Sequence, residues 1–347
     1  MSQPASALRV SVVIPACNSE RTLRACLSSV YAQNRMPDEV VVVDDGSTDR
    51  TAEIAVEFAV EFGCTLIRSA VNRGPSAARN QGIARSFGEI LFFIDSDVAL
   101  DRDAIANALR IMDEQPDVAC VHGMYATQPL IDDGPVEAYR LLHNRYWRTR
   151  QAGRVTSAFF ALCAIRRAVF DDVGGFDENL RAGEDTELSD RMGARYGIVL
   201  TAEIGGRHDD DDRLRAMLRK QFWRSQLLIP VARAERGPAG LRANRPIGLL
   251  AAGLTVTTLP LAAVWAPLAA VPVACLAGFT VSDPGLCRFV ARERGARFLP
   301  FFLATHFLVQ LAVITGALSG GVRGLIDPGF GPARRRSSPS VRIPASP

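Results

Sequence analysis

The sequence predicts an α/β fold with a mostly parallel sheet flanked by helices, followed by C-terminal transmembrane helices. Two observations predict the sheet: short β-branched runs alternate with segments of helical periodicity, and several of these runs end in acidic residues. A third observation predicts the membrane part, because charged residues are absent from residues 247–282 and again from residues 298–321.

The first elements form two strand–helix units. Residues 8–14 are a β-branched strand that we expect Pro15 to end, and Ser19 or Asn18 can cap the helix that follows. A second strand over residues 39–43 precedes another helix with an apolar face. This alternation is typical of βαβ units with parallel strands.

The next two strands continue the pattern. One is expected near residues 65–67, and Pro75 suits the first turn of the helix after it. Residues 90–94 are apolar on both faces, which predicts a fully buried parallel strand, and Asp95 and Asp97 follow directly. Open α/β sheets bind ligands at the carboxyl ends of their strands. Two aspartates there suit a hard divalent cation and the phosphates it neutralises, although capping of the next helix is the simpler alternative.

Beyond Asp97 the pattern is less regular, and the predicted elements vary in length. They are a helix at about residues 102–114, a strand at 118–121, a helix at 136–151, a strand at 159–165, a helix at 184–196 and a long helix at 214–234.

Composition excludes several classes of protein. A net charge of +3 is too small to indicate a nucleic-acid partner. Seven dispersed cysteines without a Cys-x-x-Cys pair fit reduced thiols better than a disulfide framework or a zinc site. We expect no signal peptide, because the first apolar run is short and strand-like.

The uncharged blocks predict a membrane region. We expect two or three hydrophobic segments, at about residues 247–264, 267–282 and 298–320. The predicted domains are a catalytic domain at residues 1–240, a membrane region at 241–325 and a disordered tail at 326–347.

Arginines flank the first uncharged block on both sides, so a hairpin would place both clusters on the cytoplasmic side. A third full crossing would move the arginines of the tail to the other side. The number of crossings, two or three, therefore stays open.

Six short motifs carry a resemblance to a known family. They are Val13-Ile14-Pro15-Ala16-Cys17-Asn18, Asp44-Asp45-Gly46-Ser47-Thr48-Asp49, Asn72-x-Gly74-x-x-x-Ala78-Arg79-Asn80, Asp95-Ser96-Asp97, Gly174-Gly175-Phe176-Asp177-Glu178 and Gly183-Glu184-Asp185. With this set the chain resembles a family 2 glycosyltransferase of the GT-A nucleotide-sugar type over about residues 8–225. The GT-A fold is itself a Rossmann-like, mostly parallel sheet.

The resemblance implies how a nucleotide base would be held. Asp44 or Asp45 would accept a hydrogen bond from the base, and Pro15, Ala16 and Asn18 would line it. Helix capping by the aspartates, or an ordinary turn after the first strand, would explain the same residues.

The diphosphate and metal residues are also implied by the resemblance. Asp97, helped by Asp95, would hold Mg²⁺ or Mn²⁺ against the diphosphate, and His208 would contact the metal or diphosphate unless it is structural. Gly74 belongs to the sugar-nucleotide site, and Arg79 would pair with phosphate or with a neighbouring carboxylate.

The resemblance assigns the chemical step to Asp185. A carboxylate within reach of the acceptor hydroxyl can take its proton during attack on the anomeric carbon, and one base opposite the leaving group gives inversion. Glu184 would orient the acceptor or the loop. An acidic pair that stabilises a helix N-terminus is the alternative.

One motif departs from the family. Processive members carry Gln-x-x-Arg-Trp after the base, whereas this chain has Gln221 and Arg224 followed by Ser225. Gln221 and Arg224 would lie near the diphosphate or form the polar face of an amphipathic helix. The missing tryptophan, which stacks on acceptor sugar in the family, disfavours polymer synthesis.

The resemblance therefore implies an inverting, metal-dependent transferase at the inner (plasma) membrane, multi-pass, with a cytoplasmic catalytic domain. It would use a UDP- or GDP-sugar and a lipid-linked or cell-envelope glycan acceptor, with no nucleic-acid partner. The alternatives are an inactive nucleotide-sugar-binding scaffold and a processive polysaccharide synthase subunit.

Overall fold

The computed structural model describes residues 8–180, 183–230, 246–327 and 330, and these residues form two compact units. The first unit contains the described residues of 1–132 and 148–209. The second contains residues 133–147 and the described residues from 210 onward.

Residues 133–147 and 210–230 group with the apolar helices of the second unit, although we expected them in the catalytic domain. The domain boundaries at residues 240 and 325 stay predictions. The tail predicted to be disordered lies almost entirely outside the described residues.

Nine strands form one sheet in the described part of the first unit. They are β1 Val10–Ala16, β2 Glu39–Asp45, β3 Thr65–Ser69, β4 Ile90–Ile94, β5 Val98–Leu100, β6 Val118–Tyr125, β7 Gly153–Val155, β8 Leu162–Arg166 and β9 Gly197–His208. The spatial order is β3-β2-β1-β4-β8-β6-β9-β5, with β7 beside β9. Strands β3, β2, β1 and β4 are mutually parallel, as predicted, while β8 pairs antiparallel with both β4 and β6. The sheet is therefore mixed, with its parallel half at the N-terminal end of the chain.

Seven helices accompany these strands in the described chain. They are α1 Leu23–Val30, α2 Thr51–Phe62, α3 Pro75–Arg85, α4 Ala104–Glu114, α5 Pro135–Arg150, α6 Arg167–Val173 and α7 Glu184–Met192. Helix α5 runs from the second unit, which contains its residues 135–147, into the first.

Two local predictions at the first strand were wrong. Pro15 does not end β1, because pairing with β4 stops at Val13 and Pro15 lies where β1 has a neighbour on one side only, at Val43. The side chains of Ser19 and Asn18 do not cap α1, which begins after Thr22 without a side-chain cap.

The core fixes the position of the β4 exit. Phe93 is fully buried, and its ring meets those of Phe160, Phe170 and Phe176 edge-on at centroid distances of 5.8, 5.9 and 5.7 Å. Burying one such phenyl ring contributes about 1.5–3 kcal/mol. The packing therefore holds the end of β4, the start of β8 and the turn after α6 together.

The second unit is helical. Its elements are part of α5, then α8 Leu214–Ser225, α9 Pro246–Thr258, α10 Leu261–Val264, α11 Ala270–Thr280, α12 Pro284–Arg294 and α13 Leu299–Ile326. In the described chain two helical stretches, Pro246–Val264 and Ala296–Ile326, are long and apolar enough to cross a membrane. A third crossing is possible if Ala266–Thr280 and Pro284–Arg294, which meet at 62°, form one bent span. Pro246–Val264 and Ala296–Ile326 overlap the predicted segments 247–264 and 298–320, and Ala266–Thr280 overlaps the predicted segment 267–282.

Glycine allows α13 and α8 to approach closely. A Cβ at Gly316 would lie 2.3 Å from the carbonyl oxygen of Phe222, and one at Gly320 would lie 1.8 Å from that of Gln226. Both distances are impossible for a larger residue, so this small-xxx-small spacing sets the packing of the two helices.

Candidate active site

A cleft of about 520 Å³ lies at the carboxyl ends of β1, β2 and β4 in the first unit. This is where an open α/β sheet binds its ligand. Nine of the residues predicted from sequence line it: Pro15, Ala16, Asn18, Asp45, Gly74, Arg79, Asp95, Asp97 and Glu184. Nine further residues, to which the sequence assigned no binding role of their own, also line it: Cys17, Ser19, Arg21, Thr22, Asn72, Pro75, Ala78, Ser96 and Asp209. Of these, Cys17, Asn72, Ala78 and Ser96 belong to the motifs quoted above.

The loops after β1 and β2 are joined through Asn18. Its backbone adopts φ +50°, in the left-handed region. Its side-chain oxygen accepts hydrogen bonds from the N–H and hydroxyl of Thr48, at 2.9 and 3.2 Å, and its own N–H donates to Ser47. These bonds fix one wall of the cleft.

Asp44 and Asp45 take different positions. Both oxygens of Asp45 accept hydrogen bonds from the N–H groups of the loop after β3, at 3.0 Å from Arg73 and 2.7 Å from Gly74. Asp44 is buried outside the cleft lining and accepts a bond from the N–H of Ser47. Neither aspartate caps α2, which begins after Arg50. Of the pair, Asp45 is the residue at the cleft.

The segment from Asp95 to Asp97 is not a helix cap either, because strand β5 follows it and α4 begins only after Asp103. The hydroxyls of Ser96 and Ser19 lie 2.7 Å apart and are buried, which ties this segment to the loop after β1. The acidic turn is therefore held by the fold rather than used to start a helix.

Strand β9 brings His208 to Asp97. The antiparallel register of β5 and β9 sets His208 opposite Val98, and its Nε2 lies 3.6 Å from Oδ2 of Asp97. The imidazole also stacks on Tyr125, with centroids 4.3 Å apart. Oδ1 of Asp97 is buried and accepts no hydrogen bond from any described residue. A carboxylate oxygen in this state fits a hard cation.

The described residues contain no group of three or more His, Cys, Asp or Glu side chains that could by themselves hold a metal ion. A diphosphate is the kind of group whose oxygens could complete the coordination of a cation at Asp97. On this chemistry Asp97 fits the predicted Mg²⁺ or Mn²⁺, with His208 beside it.

Arg79 joins the acidic residues of the site. It is only 4% exposed, and its guanidinium lies 2.9 Å from Asp95, 3.4 Å from Glu184 and 3.8 Å from Asp185. Its Cζ lies 5.6 Å from the ring centroid of Phe176. The structure thus shows the carboxylate pairing of Arg79, the second of the two roles that the sequence allowed.

The next residue, Asn80, anchors the turn after α6. Its side chain donates to the carbonyl of Phe176 and to Glu178, both at 2.9 Å, and accepts from the N–H of Phe176 at 2.8 Å. A Cβ at Gly175 would come within 2.6 Å of this amide. The glycine of the motif is required here by close approach.

Glu184 and Asp185 are the first residues of α7. Oδ2 of Asp185 accepts a hydrogen bond from the N–H of Phe160 at 3.4 Å, and its Oδ1 is buried without a hydrogen-bond donor among the described residues. Burial raises the pKa of Asp185 to about 6; Arg79 opposes this shift, and the charges of Glu184 and Asp95 add to it. A carboxylate of this kind exchanges a proton near neutral pH.

Gln221 and Arg224 lie on α8 in the second unit. Their contact with a diphosphate remains a prediction.

The described residues thus combine a mixed α/β sheet with an acidic cleft at the carboxyl ends of its strands. Residues 11–174 match the family described as Glycosyl transferase family 2. The mannosyltransferase PcManGT from Pyrobaculum calidifontis, solved in complex with GDP-Man and Mn²⁺, shares the fold with a TM-score of 0.57 at 22% identity, covering 90% of this chain and 87% of that one. The family match spans just under half of the chain, and apolar helices follow it at the C-terminal end.

Three curated glycosyltransferases are similar to parts of this chain. Glycosyltransferase AglE from Haloferax volcanii is 29% identical over 217 residues, which are 61% of this chain and 70% of that protein. The pre-mycofactocin glycosyltransferase from Mycobacterium tuberculosis is 31% identical over 62% of this chain and 46% of its own length. Glycosyltransferase GlyA from Streptococcus pneumoniae is 38% identical over 32% of this chain, but the match spans only 16% of that protein.

Proposed function

We propose that this chain is an inverting, metal-dependent glycosyltransferase. It transfers a sugar from a UDP- or GDP-sugar to a lipid-linked or cell-envelope glycan acceptor at the cytoplasmic face of the membrane. One observation supports the proposal: Arg79 pairs with Asp95, in the same turn as Asp97, and lies 3.8 Å from Asp185, so the proposed cation ligand and the proposed base are linked through one side chain.

The donor nucleotide would lie along the loops after β1 and β2. Asp45 stands at this end of the cleft together with Pro15, Ala16 and Asn18, and it holds the backbone at Gly74. We therefore assign the base contact to Asp45 rather than to Asp44, whose side chain is buried away from the cleft lining.

Asp97, with His208 beside it, would hold Mg²⁺ or Mn²⁺ against the diphosphate. The bound cation would neutralise the charge that develops on the departing nucleoside diphosphate. The Pyrobaculum calidifontis mannosyltransferase, which shares the fold, was solved with Mn²⁺ and GDP-Man.

Asp185 would take the proton of the acceptor hydroxyl. Its pKa of about 6 leaves it ionised at neutral pH, while it is still basic enough to accept a proton in the transition state. Attack assisted by one base, on the face opposite the leaving group, inverts the anomeric centre. Glu184 and Arg79 would keep the carboxylate in place.

The apolar helices support a membrane location. Several large apolar side chains of α9 are exposed, among them Ile247 and Leu250, each 62% exposed, as expected for side chains that contact lipid. Three exposed arginines, Arg288, Arg292 and Arg294, lie between Pro246–Val264 and Ala296–Ile326, and Arg297 is the second residue of the latter stretch. They favour a cytoplasmic side for this connection. A tethered enzyme meets acceptors that are themselves anchored in the membrane.

The test is a screen of UDP-, GDP- and TDP-sugars with the full chain in lipid nanodiscs and Mn²⁺, scored by release of nucleoside diphosphate. We expect turnover with at least one donor, and in D185N loss of turnover with donor binding retained. Donor binding without turnover in the unmodified protein would instead support the nucleotide-sugar-binding scaffold. If the protein neither binds nor turns over any of the donors, the proposal is refuted.

A further inference from the structure

Phe159 is a large apolar residue that is exposed to solvent near the proposed base. It belongs to the loop before β8 and is 47% exposed. The following residue, Phe160, is fully buried and donates its N–H to Asp185. The aromatic ring of Phe159 is therefore anchored one residue away from the carboxylate contact.

The guanidinium of Arg148 covers one face of the Phe159 ring. The Cζ of Arg148 lies 4.3 Å from its centroid, well inside the range of a cation–π contact. The buried imidazole of His122 approaches at a centroid distance of 5.8 Å with a tilt of 53°. These contacts fix the ring although about half of the residue is open to solvent.

The same arginine extends the contact toward the cation site. Arg148 also lies 5.5 Å from the ring of Tyr125, which stacks on His208, and His208 lies 3.6 Å from Asp97. A continuous column of rings and one guanidinium thus runs from Asp97 to Phe159. These contacts connect Phe159 with the proposed cation ligand Asp97.

We propose that Phe159 is the platform on which the acceptor sugar stacks, so that the acceptor of this enzyme presents a pyranose ring to Asp185. The inference rests on the proposed function and adds the acceptor class to it. A pyranose has one face of C–H bonds that packs on an aromatic ring, while its hydroxyls point outward from the rim. Because the N–H of the next residue is bonded to Asp185, a pyranose stacked on Phe159 would present such a hydroxyl on the side of this carboxylate.

The sequence supplies a matched control for this exposed phenylalanine. Phe87 is 49% exposed and has Arg9 over its ring at 5.4 Å, but it precedes the N-terminal end of β4. The site lies at the carboxyl end of that strand. F87A therefore removes an equally exposed, arginine-covered ring far from the chemistry.

The experiment uses the full chain in nanodiscs with the donor identified in the screen above. Octyl β-D-glucopyranoside, octyl β-D-galactopyranoside and octyl α-D-mannopyranoside serve as acceptor probes, and octan-1-ol tests an acceptor without a sugar. We expect transfer to at least one octyl pyranoside and none to octanol. F159A should raise the acceptor KM on the order of tenfold, whereas F159W and F87A should stay within about threefold of the unmodified protein.

Donor hydrolysis, with water as acceptor, separates the two proposals. It should be unchanged in F159A, because the platform does not touch the donor; its absence in the unmodified protein would count against the proposed function instead. The platform would be refuted by an unchanged acceptor KM in F159A, by a parallel loss of donor hydrolysis, by equal transfer to octanol, or by failure of every pyranoside with an active enzyme.

Discussion

The Nη2 atom of Arg79 donates a 2.9 Å hydrogen bond to Oδ1 of Asp95. Its Nη1 lies 3.4 Å from Glu184 and 3.8 Å from Asp185. One buried guanidinium therefore faces three carboxylates and connects the end of β4 with the beginning of α7. Both halves of the proposed site, the metal-ion half at Asp97 and the base at Asp185, depend on the side chain of Arg79.

Replacing Arg79 by methionine should destabilise the protein and abolish activity. The substitution leaves Asp95, Glu184 and Asp185 without their buried partner, and breaking such a pair costs about 3–5 kcal/mol. The partly exposed guanidinium of Arg110, which pairs with Glu114 and Glu203, is the control, because R110M should cost about 1 kcal/mol. Urea unfolding of both variants checks the difference, and equal losses would contradict the role of Arg79.

The activity should rise with pH through the pKa of Asp185. Burial raises that pKa to about 6, so the base is protonated at pH 5 and ionised at pH 7. D185N should lower kcat by roughly 10²–10⁴ and leave a residual rate that is flat across this window. A pH profile of transfer for both proteins tests this, and an unchanged profile in D185N would exclude Asp185 as the base.

The same residue should limit stability at high pH. Its folded pKa of about 6 lies above the ordinary value of 3.8, so the native state binds this proton more tightly than the unfolded state does. The contribution of Asp185 to stability is then greatest below the unfolded value and is lost as pH rises to about 6.

Asparagine mimics the neutral carboxyl and does not ionise. D185N should therefore be more stable than the unmodified protein at pH 8, by on the order of 2 kcal/mol, and equal to it at pH 3.5. Urea unfolding at the two pH values measures this. A variant that is less stable at pH 8 would mean that the pairing with Arg79 outweighs burial.

Local pattern was enough to predict the parallel half of the sheet. Strand β4 occupies Ile90–Ile94, the residues that an apolar run bounded by Gly88 and Asp95 indicated. Strands β5 and β9 were missed, because β5 has only three residues and its pairing with β9 joins Val98 to His208, 110 residues away. No local pattern reports such a pairing, so the contact of His208 with Asp97 was implied only by the resemblance.

The choice between Asp44 and Asp45 shows a second limit. Successive side chains of a strand point to opposite faces, so one of the two had to leave the cleft. Which one depends on how β2 sits between β1 and β3, and this is a property of the assembled sheet. The pairing of Arg79 is also a property of the assembled fold. Its charge was visible in the sequence, but its three carboxylate partners are the residue after β4 and the first two residues of α7.

Asp97→Asn should raise the Mn²⁺ concentration needed for half-maximal activity by about 10–100-fold, because it removes a charged ligand oxygen. Asp113, on the exposed side of α4, gives the control D113N with no expected change. Titration of Mn²⁺ at saturating donor measures the effect. An unchanged Mn²⁺ requirement in D97N would show that the cation is held elsewhere.

Gly74→Ala should weaken donor binding through backbone strain alone. Gly74 has φ +93°, its N–H is bound to Asp45, and an added Cβ would meet no atom within 4 Å. Gly63 at the end of α2 has φ +78°, ψ 24° and equally open surroundings, so G63A introduces strain at a positive φ away from the cleft, smaller than that at Gly74 with its ψ of 168°. G63A should cost about 1–2 kcal/mol of stability, since the left-handed helical region is unfavourable for residues with a Cβ. G74A should cost about 1–3 kcal/mol, because its extended backbone with positive φ is adopted almost only by glycine.

Only G74A should also raise the donor Kd, by about three- to tenfold, because the loop it distorts is the one that Asp45 holds at the nucleotide end. Calorimetric titration with the donor, beside thermal unfolding of the two variants, separates the effects. If G74A and G63A bind the donor with the same Kd under conditions in which both are fully folded, the loop at Gly74 does not contact the nucleotide.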